Sequence, residues 1–138
     1  MANFFLRQLF RITGSKVPTS LLRWEQLSSV TVLLDADAED APQAERMVRE
    51  LLGSALREIV PVRRKKLIRV RKETQALVSL LPFNDFRSEY VLRRSRAQFK
   101  AGRVPLDVLD LVVSDPEGQS FPQTEVFGKM VDIIKNLK

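Results

Sequence analysis

Four carboxylates, Asp35, Asp37, Glu39 and Asp40, follow the apolar run Val30-Thr31-Val32-Leu33-Leu34. Acids at the carboxyl end of a buried strand stand where open α/β sheets bind ligands. Hard oxygen donors suit magnesium, for which two carboxylates and a substrate phosphate suffice. The competing use is structural: Asp40 precedes a helical pattern, and acids in a strand-to-helix loop cap the helix and favour its positive end. A second polar group, Asn84, Asp85 and Arg87, follows the apolar run Ala76 to Leu81. If the two strands are neighbours, their loops face each other across a topological switch point, making Asp35, Asp37, Asn84, Asp85 and Arg87 candidate ligand-binding residues. Otherwise Asn84 or Asp85 caps the next helix, while Phe83 and Phe86 pack into the core.

The cations form two clusters. Arg63, Arg64, Lys65, Lys66, Arg69, Arg71 and Lys72 fall within one short run, and Arg93, Arg94, Arg96, Lys100 and Arg103 gather around Phe99 to Arg103. With a net charge of +6, these side chains, Arg103 among them, make a basic surface that favours an anionic ligand or partner. Phosphate contacts from the first run would make binding fall steeply with salt. The run itself contains no base-stacking aromatic, and a cationic edge also protects a sheet from pairing with another chain. In the second cluster, Gly102 reads as a tight turn and Arg103 as a surface or ion-pair residue.

Several chemistries are excluded by composition. The chain has no histidine and no cysteine, which removes imidazole bases, Ser-His triads, thiolate nucleophiles and His or Cys metal ligands. Neither Gly-x-Gly-x-x-Gly nor Gly-x-x-x-x-Gly-Lys-Ser/Thr occurs, so the usual phosphate-cradling loops are missing. No catalytic residue, cofactor or metal is assigned. A cysteine-free chain points to the cytoplasm, and Arg7 and Arg11 break up any uncharged signal-peptide core.

These residues need elements to position them. The 138 residues suit one domain, with residues 1–20 an N-terminal helix and linker and 21–138 a single α/β unit. Phe5, Leu6, Leu9 and Ile12 share one side of a helix that packs on the domain, on a second copy as a homodimer, or on a membrane surface. Val30 to Leu34 reads as a buried parallel strand, and Ala44, Met47, Val48, Leu51, Leu52 and Ala55 mark an amphipathic helix from Pro42 to about Leu56. Ile59 to Val62 continues a βαβ unit. Leu67 to Val70 lies too close to Ala76–Leu81 for a parallel crossover, so it is one arm of a hairpin or a loop. A helix from Phe86 to Arg96, with Tyr90, Val91 and Leu92 as inward candidates, precedes short strands at Phe99 to Gly102 and Val108 to Val113. A closing helix runs from Thr124 to Leu137. The alternation predicts a three-layer α/β sandwich around a mainly parallel, doubly wound (Rossmann- or flavodoxin-like) sheet of about five strands, with an N-terminal amphipathic helix.

From Ala76 through Phe99-Lys100-Ala101-Gly102-Arg103 to Leu109-Asp110-Leu111-Val112-Val113, the chain resembles a family of small bacterial α/β proteins without an assigned activity. Their strand, helix, Phe-Lys-x-Gly-Arg segment and strand follow in this order, and the likeness takes in residues 28–138. The resemblance implies the fold alone. This chain has Gln75 and Ser79 where that pattern favours acids, and it lacks an extra helix in its middle. The same segment is similar to part of the acceptor half of lipopolysaccharide heptosyltransferases, a likeness at the level of fold.

The function expected from these residues is a non-enzymatic binding or interaction domain with a basic surface, its partner unknown and nucleic acid or a membrane surface both left open. The alternatives are a magnesium-dependent enzyme on a phosphorylated substrate, using Asp35, Asp37 and Asp85, or a peripheral membrane or oligomerisation module.

Overall fold

A computed structural model describes residues 24–63, 66, 68–70, 74–83, 85–115 and 118–136. The expected N-terminal helix and the candidate residues Asn84, Arg64, Lys65, Arg71 and Lys72 lie outside these described residues.

Strand β1 (Val30–Asp35) is buried along its whole length, as an apolar run without polar alternation requires. Its even residues Val30, Val32 and Leu34 enter one core cluster and Leu33 enters another on the opposite face. Helix α1 (Ala41–Leu52) returns over the first face through Ala44, Val48 and Leu52, with proline in its first turn. It stops earlier than its periodicity predicts because Gly53 takes a positive φ of 52°, which a side chain would resist. Gly53–Ala55 instead form a 3₁₀ turn, and strand β2 (Leu56–Val62) follows it. Pro61 is accommodated in β2 because that strand lies at the edge of the sheet, with one flank unpaired among the described residues.

Residues 63–75 cross to β3 (Ala76–Ser79), about the dozen residues a parallel connection requires. Ile68 to Val70 form no strand, so the loop alternative holds and the hairpin does not. Ile68 and Val70 pack on the core while Arg69 between them is exposed. Helix α2 (Phe86–Arg94), β4 (Phe99–Gly102), β5 (Leu111–Val112) and α3 (Gln123–Lys135) complete the chain.

All five strands are parallel, in the order β2-β1-β3-β4-β5. This is the flavodoxin-like doubly wound order, with its switch point between β1 and β3. Helices α1 and α3 cover one face, α3 contributing Val126, Phe127, Met130, Val131 and Ile134. The other face carries Leu92 of α2 together with Ile68, Val70, Leu106 and Val108 from connecting segments. The three-layer arrangement is as expected from the sequence.

Gly102 is not a turn residue, contrary to expectation. It ends β4, where an added Cβ would stand 2.9 Å from Leu109 Cδ1. Gly102→Ala should therefore cost about 1–3 kcal/mol through overpacking. In a Leu109→Ala background the same change should cost much less, as urea denaturation of the four proteins would show. Equal costs in both backgrounds would rule out the approach to Leu109 as the reason for glycine.

Candidate functional site

At the carboxyl edge of β1, the sheet's own chain occupies the switch point. Asp35 N–H donates to Gln123 Oε1 at 2.7 Å, and Gln123 Nε2 donates to the Asp35 carbonyl at 3.0 Å. A buried side-chain amide thus satisfies both backbone groups of the last β1 residue. Asp40 does not cap α1, whose N-terminus has no side-chain cap bond. Its carboxylate accepts from Thr124 N–H at 3.0 Å and from Gln123 Nε2 at 3.4 Å. The reason lies in α3, whose N-cap position is Pro122, a residue with no acceptor side chain. The loop acid supplies the missing cap from another element, where the helix dipole also favours negative charge.

Arg103 closes the same edge from β4. Expected on the basic surface, it is 4% exposed. It donates to the Leu80 carbonyl at 3.2 Å, to Asp115 Oδ2 at 2.8 Å and to the Phe121 carbonyl at 2.9 Å. A guanidinium suits this position because its planar fork satisfies several oxygens at once. Residues 121–124 are thereby bound to the ends of both β1 and β3, over the place where ligands bind in open sheets. The cavity beneath α2, among Ser79, Ser88, Arg103 and Leu109, has a volume of about 10 Å³, room for one water at most.

The candidate acids are similarly engaged. Asp35 Oδ1 accepts from Asp37 N–H at 3.2 Å, and Asp37 Oδ1 accepts from Arg63 at 3.3 Å. Asp85 is the N-cap of α2 in a capping box: its Oδ1 accepts from Ser88 N–H at 2.9 Å and its own N–H donates to Ser88 Oγ at 3.1 Å. Asp85 Oδ2 also pairs with Arg87 at 2.9 Å. Among the described residues, no group of three or more acids is arranged to hold a metal ion.

The outer face of α2 differs. Ser88 and Leu92 point inward, so the i, i+4, i+8 row Phe86, Tyr90 and Arg94 points away from the sheet. Phe86 is 85% exposed and Tyr90 54%, which corrects the expectation that both pack inward. They are the exposed large hydrophobics among the described residues. The Arg94 guanidinium lies 5.5 Å from the Tyr90 ring centroid, within cation–π range. Arg93 is neutralised by Glu89 at 2.7 Å and Asp107 at 2.8 Å. Arg87 donates to the Lys66 carbonyl, tying that residue to this helix. Lys66, Arg69, Arg94 and Arg96 are exposed, and none has a carboxylate partner among the described residues.

The sequence hides this surface because bulky apolar residues on a helix ordinarily face the core. The signal that sets the phase is Asp85-x-x-Ser88: a capping box with Ser88 and Leu92 on one side leaves Phe86 and Tyr90 on the other. No protein-family model, curated protein or solved structure matches the chain.

Two consequences are measurable. Gln123→Ala strands the buried backbone groups of Asp35 and should lower stability by about 1–3 kcal/mol in urea denaturation. A loss under about 0.3 kcal/mol would mean that the amide does not hold the edge closed. For Asp85, partial burial alone would raise the pKa, but the Ser88 amide, Arg87 and the Ser88 hydroxyl outweigh it and hold the carboxyl below its ordinary value. A depressed carboxyl stabilises the fold above the unfolded pKa of about 3.9, and this contribution is lost as pH falls through the folded value. Asp85→Ala should thus cost about 1 kcal/mol at pH 7, with the gap to the parent closing below about pH 4. A gap independent of pH would exclude the charged cap.

Proposed function

We propose that this chain is a binding domain that recognises an anionic partner through the outer face of α2 and the basic segment tied to it. The observation that carries this reading is the exposed pair Phe86 and Tyr90 one turn apart, with Arg94 against the Tyr90 ring, Lys66 tied to α2 through its carbonyl and Arg69 exposed on the same side of the sheet. Burial of a core does not account for either ring. The nearby acids Asp85 and Glu89 are each paired with an arginine, which leaves the surplus charge positive. The switch-point crevice, in contrast, is filled by Gln123, and its acids bond backbone groups or arginine.

No helix among the described residues is long and apolar enough to cross a membrane. The cytoplasmic setting expected from a cysteine-free chain is part of the same proposal.

Net charge alone attracts polyanions weakly and without address, so the test must separate place from total. Arg94→Glu on α2 with Arg69→Glu in the connection before β3 removes charge at the proposed face, and Arg46→Glu with Arg57→Glu removes the same charge at exposed positions on α1 and β2. Retention on immobilised heparin and binding of polyglutamate should fall at least about fivefold for the first pair and much less for the other. Equal losses would sink a localised binding face.

A further inference from the structure

We infer that the anionic partner is single-stranded nucleic acid, its bases stacking on Phe86 and Tyr90 and its phosphates meeting Arg94, Arg69 and Lys66. This rests on the outer face of α2 being the contact surface, as proposed above. Three features separate this partner from others.

The first is spacing. Residues four apart on a helix are about 6 Å apart along its axis. Successive nucleotides within a duplex strand rise only about 3.4 Å. Rings at the wider interval suit bases pulled apart from one another, as along an extended single strand, while a duplex keeps its base faces out of reach.

The second is the pairing of rings with cations. Arg94 lies over Tyr90, so a strand that lays a base on the exposed aromatic surface brings its backbone beside a guanidinium. Arg87 draws Lys66 to the start of the same helix, and Arg69 is exposed between two core-facing residues on this side of the sheet. Stacking needs only a π face, so this arrangement is tolerant of sequence.

The third is how little apolar surface accompanies the rings. A standard protein interface buries about 800 Å² per partner around an apolar core. Here the exposed large hydrophobics among the described residues are these two rings alone. A helix lying in a membrane surface needs a continuous apolar face, whereas the row on α2 runs Phe86, Tyr90, Arg94.

The test is fluorescence anisotropy of a fluorescein-labelled twelve-nucleotide oligo-dT or oligo-U at low salt, with a duplex of equal length and heparin as competitors. Single strand should bind tighter than duplex. Phe86→Ala with Tyr90→Ala should weaken binding at least about tenfold, since each stacked base is worth about 1–3 kcal/mol. Phe86→Leu with Tyr90→Leu, which keeps apolar bulk but no π face, should weaken it similarly, with circular dichroism unchanged for both. Replacing Lys66, Arg69 and Arg94 by alanine should flatten log K against log salt by about 0.7 for each phosphate left without its cation. Unchanged affinity in the ring variants, or duplex binding as tight as single strand, overturns the inference. If oligonucleotides fail while heparin or polyglutamate still binds through Arg69 and Arg94, the nucleic-acid identity falls and the anionic binding face stands. If no polyanion distinguishes the α2 variants from the Arg46 and Arg57 variants, both fall.

Discussion

Gln123 meets the backbone of Asp35 across 88 residues of chain, its amide oxygen accepting and its amide nitrogen donating. The last residue of a central strand has polar groups that the sheet ladder does not satisfy, and burial makes leaving them unpaired costly. Here the first turn of the closing helix satisfies them. The same turn receives its cap from Asp40, and the segment before it is held by Arg103. The ends of β1, β3 and β4 and the start of α3 thus depend on one another. Among the described residues, the end of β1 at the switch point is thus bridged by the chain's own Gln123.

The opposite face of the sheet sets the rest of the surface. A parallel sheet must be covered on both sides, yet the side away from α1 and α3 has only α2 as a described helix. Aliphatic residues of the connections, Ile68, Val70, Leu106 and Val108, supply the remaining cover. A connection that turns alternate residues inward turns the others outward, and Arg69, set between Ile68 and Val70, is such an outward cation. This exposed cation is in this sense a by-product of covering the core. The Arg87 bond to the Lys66 carbonyl ties this connection to α2, whose own Arg94 lies against the Tyr90 ring.

The strands and helices were legible because burial on two faces removes alternation and burial on one face of a helix imposes it. Val30 to Leu34 and the row Ala44, Val48, Leu52 show each pattern in few residues. The strand order was not legible, because residues 63–75 carry no helical signature in their sequence between β2 and β3. The role of Asp40 is hidden because a cap is ordinarily sought in the helix that follows, although the partner lies 84 residues away. Arg103 reads as a surface or ion-pair residue, and the ion pair with Asp115 does form, but inside the fold rather than in water. Three carbonyl and carboxylate oxygens converge on it only once the chain is folded. The phase of α2 is obscured for a simpler reason: Ser88 is small enough to sit against the sheet, so the bulky residues do not have to.

That exchange of roles bears on function. Single exposed apolar residues are ordinary on protein surfaces, and an exposed phenylalanine by itself would carry little meaning. On α2, however, the inward packing is complete without the rings, the N-terminus is capped without them, and the nearby acids are neutralised by arginines. Phe86 and Tyr90 lie outside both core clusters, so their replacement leaves the inward packing of α2 in place. The carboxyl-edge residues are the reverse case: Asp35, Asp40, Gln123 and Arg103 have the chemical groups of a site, but the backbone uses them. Among the described residues, the outer row of α2 is where the core makes least use of bulky side chains, which is the ground of the proposed recognition face.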